Sequence, residues 1–250
     1  MYKDISLKGG TSITVYGEIS PEQIEGDLSG LLEELSARKI SDLITQEQKA
    51  IIIETRTSAD DARIILEDYF GYELNGENSS FEFTGSSLSE SFYKQLIIAI
   101  LFAFLFMAIV VFIIFRTFVP SAAVIISAFA DIIMTLAMVD ILGMKMSSAG
   151  IVAFLMLIGY SVDTDILLTT RILKRSEGSL NRRMFGAFKT GITMTLTSFL
   201  AVFCALLVVK SFSITLTQIF AILSIGLIFD LLNTWITNAS ILKWYVWRKK

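Results

Sequence analysis

Four aspartates, Asp131, Asp163, Asp165 and Asp230, sit inside long apolar runs of this 250-residue sequence. A carboxylate at the centre of a membrane helix costs about 2.5 to 3.5 kcal/mol on insertion scales, so an acid placed there reads first as part of an ion pathway, paired or facing water. The competing reading is an acid that keeps its proton, or binds a neighbouring hydroxyl, as glue between packed helices. Asp163 and Asp165 are two positions apart, which on a helix turns them about 200° from each other. They cannot share one partner, and that separation argues against a paired-carboxylate hydrolase. Lys189, with Thr193 one turn further along the same face, could answer an aspartate on the preceding span, its charge responding when that acid takes up a proton. The plainer alternative is a lysine that reaches for the headgroups and serves only topology.

Other chemistries lack their residues. There is no histidine, and Cys204 is the single cysteine, so an internal disulfide, a His-based metal centre and a Ser/His/Asp triad all drop out. No GxxxxGK[ST] loop is present to cradle a phosphate, which argues against ATP as a direct fuel. The reading is therefore not an enzyme, with no cofactor, no metal and no nucleic-acid partner. Hydrophobic residues make up 54% of the chain and charged ones 18%, against about a quarter charged in soluble domains, which makes this a membrane protein. Up to Tyr93 there are 7 basic and 18 acidic residues, and after it 14 basic and 6 acidic, so an acidic half precedes a basic one.

Five apolar stretches, at about 95–115, 119–140, 147–171, 189–209 and 214–238, are each long enough for a bilayer core of about 30 Å. Pro120 falls in the first turn of the second, where proline is tolerated. The loop after the third span carries Arg171, Lys174, Arg175, Arg182, Arg183 and Lys189 against one acid, Glu177, and is expected to be cytoplasmic. The basic tail, 244–250, agrees, since it lies two spans further on. That topology puts the acidic head outside. With no signal peptide at Met1, a preceding signal-anchor span is expected, making six in all, of which five are present.

The head, 1–91, reads as β-α-β-β-α-β. A β-rich run at 11–16 is followed by a capping box, Ser20-Pro21-Glu22-Gln23, opening an amphipathic helix to about Lys39. Strands are expected at 40–45 and 49–57, a second helix from the Ser58 cap through Tyr69, a closing strand at 81–84 and a polar linker at 86–91. This order predicts an α+β ferredoxin-like domain. The membrane bundle then occupies 92–243. Within it, Arg171, Lys174 and Arg175 read as topology anchors whose basic run could touch an acidic partner or anionic lipid. Trp235, Trp244, Tyr245 and Trp247 suit an interfacial belt, and Ser147, Ser148, Ala149, Gly150 and Gly159 permit close helix approach.

Gly159-Tyr160-Ser161-Val162-Asp163-Thr164-Asp165, running on to Arg171, resembles the fourth-span motif of the SecF branch of the SecD/SecF protein-export family, in its archaeal form. Asp4-Ile5-Ser6-Leu7-Lys8-Gly9-Gly10-Thr11 is similar to the Gly-Gly motif that follows the first span in that family, and Lys189-Thr190-Gly191-Ile192-Thr193 is similar to its fifth-span start. These motifs bracket nearly the whole chain. The resemblance implies a polytopic helical bundle of the resistance-nodulation-division type with a ferredoxin-like extracytoplasmic domain, paired with SecD beside the Sec translocon channel. It also implies use of the proton gradient to assist translocating polypeptide across the cytoplasmic membrane.

Asp163 stands where bacterial SecF motifs have Asn, and Thr164 where they have Asp, with Asp165 one place beyond. Lys189 replaces the family's arginine, keeping charge while losing the planar fork. The ion-coupling candidates are therefore Asp163, ranked ahead of Asp165, with Lys189 and Thr193; Asp131, Asp230 and Thr164 rank below them. Two alternatives stay open: a non-energised scaffold holding SecD at the translocon, and a solute or lipid exporter of the wider superfamily.

Overall fold

A computed structural model describes residues 5–42, 45, 47–174, 178–211 and 213–249. Asp4, Arg175, Glu177 and Lys250 of the sequence reading, and positions 43 and 44 at the end of an expected strand, lie outside the described residues. The chain divides into two compact units. One comprises Met1–Leu96, Lys145–Ser148 and Val208–Thr217, and the other Ile97–Met144, Ala149–Leu207 and Gln218–Lys250.

In the first unit a single turn, α1 (Ile5–Lys8), leads into β1 (Gly10–Tyr16), α2 (Pro21–Leu28), β2 (Ser36–Ser41), β3 (Gln48–Thr55), α3 (Ala59–Phe70) and β4 (Ser79–Thr84). The sheet order is β2-β3-β1-β4, every neighbouring pair antiparallel, with Ile13 opposite Ile53 on one side and Phe81 on the other. The two-residue period of the strands sends Ile13 and Val15 of β1, and Ile51 and Ile53 of β3, into the core. They meet Ile24 and Leu28 of α2 and Ala62 and Leu66 of α3 there. Ser20 and Ser58 cap the helices by accepting from the backbone N–H of Gln23 and Asp61. Gly71, at φ 73°, ends α3 with its N–H on the Glu67 carbonyl.

The first helix is shorter than expected. It ends at Leu28 with Ser29 as its cap, and the chain is already β-strand by Ser36. The apolar period misleads because Leu32 and Leu35 pack on the same core without being helical. Beside them, the Lys8 ammonium, hydrogen-bonded at 2.7 Å, holds the Glu34 carboxyl below its ordinary range, with help from Arg56 at 3.4 Å.

The paired glycines have a definite task. Gly10 has φ +152°, and a Cβ there would lie 2.5 Å from the Thr55 backbone carbonyl oxygen. A backbone oxygen held in the β1–β3 ladder cannot yield. Gly10→Ala is therefore expected to destabilise the head by about 2 kcal/mol or more, read as a lower urea midpoint for the tyrosine signal of Tyr16, Tyr69 and Tyr72.

Five long helices follow: α4 (Ser86–Phe115), α5 (Phe118–Ile141), α6 (Ser148–Leu173), α7 (Leu180–Val209) and α8 (Ile214–Leu232). The last continues through a π-helical stretch, Asn233–Asn238, into α9 (Ala239–Arg248). All five are long and apolar enough to cross a membrane. Helix replaces the linker expected at 86–91, since α4 starts at Ser86, and α7 begins at Leu180, ahead of the expected 189. The tail expected from 244 is helical to Arg248.

Burial sorts these spans. α6 has the lowest mean hydropathy of the five, 1.9, yet the largest buried share, 56%, whereas α4 at hydropathy 3.4 is 6% buried. The least apolar span is thus the central one, which is where polar side chains can be satisfied by protein rather than by lipid. Ala123, Leu168, Ile172, Ala187, Ala239 and Leu242 join α5, α6, α7 and α9 in one apolar cluster.

Candidate ion-coupling site

Within the membrane unit, three of the four mid-span aspartates converge. Asp131 on α5, Asp165 on α6 and Asp230 on α8 are all fully buried, close enough to feel one another electrostatically. Ser161 donates to Asp131 Oδ2 at 2.5 Å, and Asn233 donates to Asp131 Oδ1 at 2.7 Å. Asn238 donates to Asp165 Oδ1 at 2.7 Å, with Ser127 at 3.3 Å, and Thr234 donates to Asp230 Oδ1 at 3.3 Å. α5, α6 and the α8–π segment are thereby tied by side-chain hydrogen bonds at depths where lipid offers none.

The arrangement is unbalanced in charge. Among the described residues no cation pairs with Asp131, Asp165 or Asp230. Asp165 Oδ2, Asp230 Oδ2 and Asn238 Oδ1 are buried with no hydrogen-bond partner. Isolated buried carboxylates are too costly to persist together, so the cluster needs protons or an entering cation to balance it. The bare oxygens of Asp165 and Asp230 are the places such a charge would occupy. Among the described residues no group of three His, Cys, Asp or Glu is spaced to hold a metal ion.

Backbone irregularity coincides with the site. The π-helical turn carries Asn233, Thr234 and Asn238, all buried, and π segments inside α-helices recur at functional positions. Two glycines let the helices close up. A Cβ on Gly191 of α7 would collide with Trp235 of the π segment and come within 3.3 Å of Thr164 Cγ2. On α8, a Cβ at Gly226 would lie 2.5 Å from Leu157 Cδ2.

The residues singled out from sequence are distributed unequally. Asp165, Asp131 and Asp230 belong to the buried cluster. Asp163 is exposed on the opposite side of α6, as the 200° turn requires. Lys189 is exposed on α7 and forms no ion pair with either α6 aspartate among the described residues. Thr193 is exposed too, its hydroxyl donating to the Lys189 carbonyl at 2.8 Å. Thr164 is buried at the α6–α7 contact, 3.5 Å from the Thr195 hydroxyl. The structure thus gathers Asp131, Asp165 and Asp230, and leaves Asp163, Lys189 and Thr193 outside that group.

Five hydrogen-bonding residues escaped the sequence reading as site members: Ser127, Ser161, Asn233, Thr234 and Asn238. A signal for three of them was available. Ser127–Asp131, Ser161–Asp165 and Asp230–Thr234 are each a polar residue one helical turn from an acid, repeated on three spans.

Comparison with known proteins assigns this architecture. The family of protein export membrane proteins SecD/SecF, C-terminal, matches residues 66–248. The chain is 42% identical over 252 residues to the protein-export membrane protein SecF of Methanocaldococcus jannaschii, covering 98% of this chain and 87% of that one. It belongs to the SecD/SecF family. The SecF of Methanothermobacter thermautotrophicus is 40% identical over 98% of this chain and 84% of its own length. Crystallographic SecDF, described as a translocon-associated membrane protein, from Thermus, superposes with a TM-score of 0.78 at 18% identity. That match covers all of this chain and 35% of the SecDF chain, so the SecD/SecF fold seen here spans about a third of that protein. Five candidate spans and SecF relatives make this a multi-pass membrane protein.

Proposed function

We propose that the chain is the SecF-type subunit of a membrane machine that assists polypeptide export, acting with a SecD-type partner at the Sec translocon and driven by an ion gradient, the proton gradient in the simplest case. The carrying observation is the buried trio Asp131, Asp165 and Asp230, with two unpartnered carboxyl oxygens and no cation among the described residues. A cluster of this kind changes its hydrogen bonding when a proton arrives, because a carboxyl oxygen that only accepts then becomes able to donate. Three helices meet at that switch, so proton occupancy is linked to their packing.

Asp163 supports the partner. An exposed carboxylate near the middle of α6 is costly against hydrocarbon, and a second membrane subunit covering that face removes the cost. The positive loop around Lys174 and Arg182, with the basic end of α9, favours a cytoplasmic position for those segments and an outer position for the acidic head.

The test is export of a secretory protein across vesicles carrying the chain and its SecD-type partner, with the proton gradient intact or collapsed by an ionophore. The expected result is a stimulation of export that disappears on collapse. Stimulation that survives collapse would leave a passive scaffold in place of a motor.

A further inference from the structure

A second polar feature lies in the membrane unit, apart from the acid cluster. Where the C-terminal ends of α4, α6 and α9 meet the start of α5, a cavity of about 510 Å³ opens, lined by Lys174, Arg183 and Lys249 together with Phe115, Leu173 and Tyr245. Among the described residues no acidic side chain lines it. Its volume falls within the roughly 300 to 1,000 Å³ typical of small-molecule sites.

Two observations give it a sign. Three of its lining residues are cations on three different segments, with Arg183 Nη1 fixed by a 2.7 Å bond to the Ile172 carbonyl. Thr117, the cap residue of the 24-residue helix α5, also lines it and makes no side-chain cap to that helix. The positive end of a long helix therefore adds to the lysines and the arginine. The cavity is built for a phosphate-bearing anion.

Its surroundings choose the source of that phosphate. Apolar Phe115, Ile172, Leu173 and Val246 form the rest of the wall, suited to a glycerol backbone and the start of acyl or isoprenoid chains. On α9, Arg248 stacks over Trp244 at 4.8 Å and Lys249 over Tyr245 at 5.8 Å. Such aromatic and basic residues gather at the headgroup level of a bilayer. We infer that this cavity is a binding site for the headgroup of one anionic phospholipid, drawn from the leaflet on that side. The inference does not depend on the export role.

The experiment uses the full chain in vesicles of phosphatidylcholine and phosphatidylglycerol at 3:1, extracted gently and weighed intact by mass spectrometry. One retained phosphatidylglycerol per chain is expected. Each lysine near a membrane surface contributes enough that Lys174→Gln with Lys249→Gln should weaken retention by about 30-fold. That pair leaves the Arg183 bond to α6 in place. The control, Arg182→Gln with Lys243→Gln, removes equal charge outside the cavity and should retain the lipid. Equal loss in the control would reduce the effect to general charge and overturn the site. So would displacement of the lipid by millimolar inorganic phosphate, which would assign the cavity to a soluble anion.

Discussion

Asp165→Asn is expected to abolish gradient-dependent stimulation of export while leaving the bundle as stable as before, and Asp165→Leu to abolish both. The asparagine keeps the shape and the acceptor that Asn238 and Ser127 use, at 2.7 and 3.3 Å, but can never take up or release a proton. The leucine removes the acceptor as well, stranding two buried donors at a cost of about 1 to 3 kcal/mol each. Thermal midpoints in detergent should therefore rank Asn with the unaltered chain and Leu well below it, whereas export stimulation should be absent from both. Stimulation retained by the asparagine variant would show the acid to be structural. Asp163→Asn is the companion measurement: loss there, with Asp165→Asn still active, would move the coupling role to the exposed face of α6.

The second large effect lies at a packing contact. Gly191→Ala should destabilise the membrane unit by about 1 to 3 kcal/mol, the usual cost of overfilling a packed core. Its Cβ would run into the Trp235 ring on one side and meet Thr164 on the other. Trp235 is also held edge-on by Phe188, with centroids 5.0 Å apart, so it has little room to retreat. Trp235→Phe shortens that ring and discards an indole N–H that is buried without a partner. The double variant should recover most of the lost stability, giving a large coupling energy in a thermal-unfolding cycle. Additive losses would mean that the ring is not the obstacle.

Legibility differed between levels. The strand and helix order of the head was readable because Ser20 and Ser58 carry local capping chemistry in the residues themselves. The extent of α2 was not, since Leu32 and Leu35 continue a helical period while reaching the core from irregular chain. The spans were readable from length and apolarity alone. Among the site residues, the opposed directions of Asp163 and Asp165 followed from helix geometry, but which of them faces the interior depends on contacts between α5, α6 and α8 that no single segment encodes. The family pattern at the motif drew the ranking toward Asp163, whereas burial places Asp165 in the cluster. Asn238 was hidden for another reason: eight residues from Asp230, it does not share a face with it on an ordinary α-helix.

The π-helical turn between them resolves that mismatch. At about 100° per residue, eight α-helical steps leave Asp230 and Asn238 about 80° apart. A turn that absorbs one additional residue takes back about 100° of rotation and brings the two side chains to within about 20° of one line. The wide turn is thus a phase corrector, a single-residue insertion that keeps both halves of the last span aimed inward. It follows that shortening the Asn233–Asn238 stretch by one position would preserve the angular register of α9 as a plain α-helix. Lengthening it by one would swing everything beyond, Leu242 and the aromatic belt included, out of alignment.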